Sequence, residues 1–140
     1  MAWIAAESGD WHAVERWAGE ALRPNEDALA EAAAAEGRYL AVWSQARRQA
    51  SAGQWERARA LMGQAIELVE KEWHGEHLYL APPLLDLARL EQARNRIREA
   101  ERLARRAEAI YHQSTVPEHP GRIAVNRLLE SLDESAVQAR

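Results

Sequence analysis

The sequence predicts an all-α protein built from repeated helix pairs, and three observations support this prediction. The composition is rich in Ala and Leu, lacks Phe and has few β-branched residues, which favours helices over sheets. Apolar side chains recur at helical spacing through most of the chain. Two stretches, Gly53 to His77 and Arg94 to His119, also present similar residue types in the same order, 42 residues apart.

The equivalent positions of this repeat carry small, apolar or His side chains. They are Trp55 and Ile97, Ala58 and Ala100, Leu61 and Leu103, Ala65 and Ala107, and His77 and His119. A third copy, Gly9 to Leu22, aligns with Gly53 to Ile66 at an offset of 44 residues. A helix pair cannot bury its apolar stripe alone, so repeated pairs are expected to stack and cover one another.

The first two units differ in how much of the leading helix they retain. The first, about residues 1–24, keeps only the end of this helix, in MAWIAAES. In the second, about residues 26–74, Asn25 is a suitable N-cap. One long helix is expected to run from there to a turn at Gly53, and a break at Gly37 is the alternative.

The third unit and a terminal helix complete the predicted architecture. The third unit, about residues 79–113, has Pro82 and Pro83 where a helix should begin and turns near Asn95. Two further prolines precede the terminal helix, about residues 122–134. The chain is therefore expected to contain about three helix pairs and one additional helix.

Small side chains are expected where helices approach closely, because a larger residue there would force them apart. The predicted close-approach positions are Ala46, Ala58, Ala65, Ala88, Ala100 and Ala107. The predicted large side chains packing beside them are Trp55, Leu61, Ile97 and Leu103. The repeated pattern is thus interpreted as the same packing interface built more than once.

Bulk properties limit the functional classes. A length of 140 residues fits a single domain, residues 1–140. The net charge of −4 gives no reason to expect nucleic-acid binding, and the absence of Cys excludes thiol chemistry and suits a reducing compartment. We expect neither a signal peptide nor a membrane span, because no basic n-region or sufficiently long apolar run is present. The expected location is cytoplasmic.

The residues of the second unit resemble the tetratricopeptide repeat. The positions that match its pattern in register are Ala46, Gly53, Trp55, Ala58, Met62 and Ala65. The 42-residue period resembles the longer variant of kinesin light chains, and the first half is also similar to the helical sensor domain of maltose-regulator-type (LuxR-family) activators. The resemblance implies a right-handed α–α superhelix, a tetratricopeptide-like solenoid, without a cofactor.

The same resemblance implies a concave groove lined by the leading helices, where a partner protein or peptide binds. The groove residues that it implies are Leu40, Trp43, Arg47, Ser51, Leu85, Arg89, Gln92 and Arg127. An aromatic side chain with several Arg residues would suit a peptide bearing carboxylates. The alternative is that Trp43 belongs to the core and the Arg side chains are solvated or paired with Glu.

Other conspicuous residues have structural explanations. The sequence EWHGEH and the later PEH could supply metal ligands, but the repeat accounts for His77 and His119 as residues that cap or pack the next helix, so we predict no metal site. The Arg-rich stretch of residues 94–112 contains interleaved Glu residues, which indicates a solvated helix face. The Trp residues are expected to divide between two roles. Trp11, Trp17 and Trp55 are assigned to the core, whereas Trp3 and Trp73 are candidates for an exposed docking patch.

No catalytic motif is present, since no Ser has a nucleophile-elbow context and no Gly-rich phosphate loop exists. We therefore expect a non-catalytic protein-interaction module rather than an enzyme. Two alternatives stay open at this point. The chain could be the effector-sensing fragment of a larger signalling or transcription regulator, or it could associate with itself as a scaffold or homodimer.

Overall fold

A computed structural model describes residues 28–138 and the single residue Arg16, with side chains from Glu31 onward. The residues it describes form α-helices and no β-strand. The helices are α1 (Ala28–Ser51), α2 (Trp55–Trp73), α3 (Ala81–Ala93), α4 (Ile97–Ser114) and α5 (Pro120–Gln138), and a 3₁₀ turn at Leu78–Leu80 precedes α3. The prediction of an all-α helical repeat is confirmed. Apart from Arg16, the first copy of the repeat, with Trp11 and Trp17, lies outside the described residues, as do Trp3 and the expected N-cap Asn25 of the second unit.

Contacts along the chain separate two compact units, residues 1–72 and 73–140. Helices α1 and α2 belong to the first unit, and the 3₁₀ turn with α3, α4 and α5 belongs to the second. In the second unit α4 packs against both α3 and α5, and α3 also contacts α5. The prediction of one domain over residues 1–140 stays a prediction.

Helix α1 is continuous through Gly37, as the preferred reading of the sequence predicts. Its first half is rich in Ala, the residue with the highest helix propensity, which offsets the cost of one internal Gly. Near the middle of α1, Arg38 Nη2 lies 3.7 Å from Glu72 Oε1 near the end of α2. This ion pair joins the two helices, which the turn after Ser51 arranges as a hairpin.

The turn between α1 and α2 depends on a left-handed residue. Gly53 has a φ of 74°, a conformation that Gly adopts without the steric cost of a Cβ. The Gln54 N–H donates to the Gln49 carbonyl at 2.9 Å, which closes the end of α1. The Ala58 N–H then donates to the Gln54 carbonyl at 2.9 Å and begins α2.

The turn between α3 and α4 repeats this geometry 42 residues later. Asn95 occupies the left-handed position with a φ of 60°. The Arg96 N–H donates to the Glu91 carbonyl at 2.8 Å, and the Ala100 N–H donates to the Arg96 carbonyl at 3.0 Å. Asn tolerates this conformation better than most non-Gly residues, so the replacement keeps the turn. The predicted turn near Asn95 is confirmed.

The small residues predicted at close approaches are all fully buried. Each of the six has 0% exposure: Ala46, Ala58, Ala65, Ala88, Ala100 and Ala107. Among the larger predicted packing residues, Leu103 is buried, whereas Leu61 and Ile97 are half-buried. The packing interpretation of the repeat therefore holds for its small residues in both units.

The core assignment of Trp55 is wrong. Its side chain is 39% exposed. Trp55 is the first residue of α2, and at this end of the helix its ring is only partly covered. Trp73, which was expected to mark an exposed patch, is instead half-buried at the end of α2.

Candidate partner-binding site

Three of the groove residues implied by the resemblance are buried. The exposures are 0% for Leu40, 2% for Trp43 and 5% for Leu85. The ring of Trp43 stacks on Tyr39 with centroids 5.8 Å apart. A partner could not reach the apolar anchor expected at Trp43 in this conformation. Trp43 is therefore a core residue, as the alternative interpretation of the sequence predicted.

Two groove candidates lie in the last two turns of α1. Arg47 is half-buried and Ser51 is exposed. Both belong to the first compact unit, and their role in binding stays a prediction. The remaining candidates belong to the second unit.

The structure brings Arg89, Gln92 and Arg127 to one depression between α3 and α5. This depression has a volume of about 390 Å³ and is also lined by Ala124, Leu128 and Ser131. The two α3 residues are three positions apart, so both lie on the same helix face. The four α5 residues follow the spacing i, i+3, i+4 and i+7, which places them on one face as well.

A hydrogen bond connects the two walls of this α3–α5 depression. Gln92 Nε2 donates to Ser131 Oγ at 2.8 Å. The bond joins residues from different helices and holds their polar ends at one place. Sequence analysis missed Ser131, Leu128 and Ala124, although helical spacing from Arg127 would have found them.

The charge of the depression comes from two guanidinium groups. Arg89 Nη1 lies 3.6 Å from Asp86 Oδ1, one turn earlier on α3. Within the described part of the chain, no hydrogen bond or ion pair joins Arg127 to another residue. Both Arg side chains are exposed, whereas Leu128, another lining residue, is buried. The depression therefore combines two exposed guanidinium groups with a small apolar lining from Ala124 and Leu128.

The walls of the depression are supported by histidine caps at two equivalent loops. The Tyr79 N–H donates to His77 Nδ1 at 3.1 Å, and the Gly121 N–H donates to His119 Nδ1 at 3.1 Å. Each imidazole accepts a backbone donor at the start of the following helical segment, so its Nδ1 carries no proton. The capping role predicted from the repeat is confirmed.

Aromatic rings cover these caps differently. The centroid of the His77 ring lies 5.6 Å from that of Trp73 and 4.8 Å from that of Tyr79, and these two aromatic rings also contact each other. Burial lowers the pKa of His77 below its usual value. The His119 ring instead lies 5.5 Å from Tyr111, a buried residue at the end of α4.

Close packing fixes the start of α5, the helix that carries Arg127. Gly121 lies directly against the ring of Tyr111, and a Cβ at this position would overlap that ring. A side chain larger than hydrogen would therefore force either the buried Tyr111 ring or the first turn of α5 to move. The position of one wall of the depression depends on this contact.

The outer face of α4 carries alternating charges, as the sequence predicts. Arg102 Nη2 lies 2.7 Å from Glu99 Oε1, and this hydrogen bond raises the pKa of Arg102. Arg105 pairs with Glu108 at 3.3 Å. These exposed pairs lie within single turns of one helix, which indicates a solvated face rather than a nucleic-acid site.

A further ion pair connects α4 to the loop before the 3₁₀ turn. Arg106 Nη2 lies 2.7 Å from Glu76 Oε1, and Arg106 Nε lies 3.0 Å from Glu76 Oε2. The two bonds form a bidentate pair. The hydrogen bonds from Arg106 lower the pKa of Glu76.

No group of three or more His, Cys, Asp or Glu side chains among the described residues is placed to hold a metal ion. No helix in residues 28–138 combines the length and apolar character needed to cross a membrane.

Residues 48–113 match the family model described as tetratricopeptide repeat. No curated protein and no solved structure matches the chain. The matched segment runs from the last turn of α1 through α2 and α3 to the end of α4, so it contains both left-handed turns and the His77 cap. This match supports assigning residues 48–113, just under half of the chain, to the tetratricopeptide repeat family.

Proposed function

We propose that this protein is a non-catalytic interaction module and that the α3–α5 depression binds an acidic segment of a partner protein. Tetratricopeptide repeats are generally protein-interaction modules, which supports the general class. The observation that carries the finer proposal is the depression itself. Arg89 and Arg127 line it, and no carboxylate is among its lining residues.

The physical basis is a charge-assisted contact beside a small apolar surface. A carboxylate can accept two parallel N–H bonds from a guanidinium, which is stronger and more directional than a contact between neutral groups. Ala124, which is half-buried, and the small exposed part of Leu128 offer a limited apolar area to the neighbouring part of the peptide. Because the hydrogen bond between Gln92 and Ser131 already orders both walls, binding requires less ordering of side chains.

Further parts of the proposal concern subfamily, location and assembly. The 42-residue repeat and the two His caps support the kinesin-light-chain-like form of the repeat. A cytoplasmic location belongs to the same proposal. The sensor and self-association alternatives, including the similarity to maltose-regulator-type activators, stay predictions, and no observation in the described residues favours either.

Selection from a random peptide display library tests the proposed groove. The immobilised protein should enrich peptides containing Asp or Glu. The double variant Arg89→Glu with Arg127→Glu should bind the selected peptides at least about 10-fold more weakly, because it replaces both attractions with repulsions.

The matched control is Arg57→Glu with Arg98→Glu. It makes the same change in net charge at two exposed positions that do not line the depression. Circular dichroism should show that both double variants remain folded. Equal losses in both variants, or selected peptides without acidic residues, would contradict the proposal.

A further inference from the structure

Every polar side chain that lines the α3–α5 depression can donate a hydrogen bond. Some of them can only donate, and the others can both donate and accept. Its four polar lining residues are Arg89, Gln92, Arg127 and Ser131. Two are permanent cations, one is an amide and one is a hydroxyl. None of them is an obligate acceptor, so the lining suits an anion with several acceptor oxygens.

These groups retain donor capacity after their internal contacts are counted. Gln92 Nε2 uses one N–H toward Ser131 and keeps a second. Ser131 Oγ accepts this bond, which leaves its own O–H able to rotate toward a ligand. Arg89 engages Asp86 through Nη1 at 3.6 Å, and its Nε and Nη2 carry further N–H groups.

We propose that the depression recognises a phosphorylated side chain of the partner peptide. This inference rests on the proposed function, since it specifies the acidic group that the groove binds. A phosphomonoester carries a charge of about −1.5 to −2 at neutral pH and three strong acceptor oxygens. Two guanidinium groups, an amide and a hydroxyl match this charge and number of acceptors better than they match a single carboxylate.

Two acidic residues near the depression weaken its electrostatic attraction for an anion. Asp86 shares the charge of Arg89, and Glu130 lies three residues after Arg127 on α5 but does not line the depression. Removing either carboxylate increases the positive potential at the site. Asp86→Asn and Glu130→Gln are therefore expected to strengthen binding of a dianion more than that of a monoanion.

Three acetylated and amidated pentapeptides provide the test, with phosphoserine, aspartate or serine at the centre and Ala elsewhere. Titration into the isotopically labelled full chain, followed by NMR, should shift the signals of Arg89, Gln92, Arg127 and Ser131. The phosphoserine peptide should bind about 10-fold more tightly than the aspartate peptide. Arg127→Ala should abolish this preference, whereas Arg98→Ala should leave it unchanged.

A pH series gives a second signature of the dianion. The second pKa of a phosphomonoester is about 6, so lowering the pH from about 7.5 to about 5 should weaken binding of the phosphoserine peptide severalfold. The aspartate peptide keeps its charge over this range and should change much less. Loss of affinity for phosphoserine alone would support the inference.

The inference would be overturned by equal affinity for the phosphoserine and aspartate peptides, by shifts confined to other residues, or by no detectable binding of the phosphoserine peptide. These outcomes are distinguishable from a failure of the proposed function. If library-selected Asp or Glu peptides still lose binding in the Arg89→Glu and Arg127→Glu variant, the groove stands and only its preference for phosphate is rejected.

Discussion

The two copies of the repeat share the same turn and cap geometry, with a different residue at the turn and the same residue at the cap. Gly53 and Asn95 occupy the same left-handed position, and the same pattern of backbone hydrogen bonds closes both turns. At the next loop, His77 and His119 accept equivalent backbone bonds. The comparison teaches that the repeat specifies backbone conformation at the turn, since Gly and Asn both satisfy the left-handed position there.

The copies differ most where the cap meets its aromatic cover. In the earlier loop Tyr79 contacts the capping imidazole, and 42 residues later Gly121 occupies the equivalent position. Tyr111 on α4 supplies the aromatic contact to His119 instead. A side chain at Gly121 would therefore enter the space that the Tyr111 ring of α4 occupies in the second copy.

The largest effect on stability is expected from Gly121→Ala. Its Cβ would overlap the ring of Tyr111, so the free energy of unfolding should fall by about 1–3 kcal/mol. Gly63→Ala is the matched control, because Gly63 lies in the interior of α2 and nothing lies within 4 Å of a Cβ added there. It should raise the free energy of unfolding by about 0.5–1 kcal/mol.

Urea denaturation followed by circular dichroism measures both changes. A Gly121→Ala variant as stable as the parent protein would mean that Tyr111 and α5 do not pack as described. A loss in Gly63→Ala would mean that the helix face around Gly63 is more crowded than the described residues indicate.

The next effect compares the two turns directly. Asn95→Ala should lower the free energy of unfolding by about 1 kcal/mol, because Ala is strained in the left-handed region. Asn95→Gly should be tolerated, since it restores the residue that the other copy uses. Denaturation of Gly53→Ala should show a similar loss. Equal stability of the Ala and Gly variants at position 95 would contradict the left-handed assignment.

The histidine caps should have comparable or smaller effects. His119→Ala and His77→Ala should each cost about 0.5–2 kcal/mol of unfolding free energy, the range for losing an N-cap acceptor. His77→Asn keeps a capping acceptor and should lose less. If the Ala variants retained full stability, the two backbone bonds would have no energetic role.

The pH dependence of the His77 cap has a defined sign. Its pKa in the folded protein lies below the usual value of 6.5, so the folded state binds fewer protons than the unfolded state near that pH. The stabilisation is present above pH 6.5 and is lost as the pH falls through the lowered pKa. Denaturation at several pH values should show a smaller decline for His77→Asn, and an identical decline would contradict the assignment.

The smallest effect is expected at the ion pair between Arg106 and Glu76. Arg106→Gln should cost about 0.2–1 kcal/mol of unfolding free energy, because the pair is substantially exposed. Since Arg106 lowers the pKa of Glu76, this contribution is present above pH 4.5 and lost at more acidic pH. Denaturation in about 1 M salt should reduce the difference between parent and variant. A difference unaffected by salt would argue against an electrostatic origin.

Much of the fold was predictable from periodicity. The buried Ala positions, the turn at Asn95 and the His caps all follow from a 42-residue offset, because equivalent positions meet equivalent environments. The exposure of Trp55 was not predictable in this way. Residue type favours burial for Trp, whereas its position at the first residue of α2 leaves the ring partly uncovered.

The candidate site was only partly predictable. The resemblance to the repeat implied that Arg89, Gln92 and Arg127 contribute to one groove, and the structure places these three along one depression. The sequence alone gave no information on the hydrogen bond between Gln92 and Ser131, because this bond depends on the separation of α3 and α5. Tertiary distances of this kind do not follow from the periodicity of either helix alone.

The most direct test of the account is photocrosslinking of an acidic peptide selected from the display library. A photoreactive amino acid is placed at Ala124 in the α3–α5 depression or, as a control, at the exposed Ala109 on α4. We predict that the peptide crosslinks at position 124, that excess unlabelled peptide prevents this, and that position 109 does not react. Crosslinking at position 109 alone, or equally at both positions, would contradict partner binding in the α3–α5 depression.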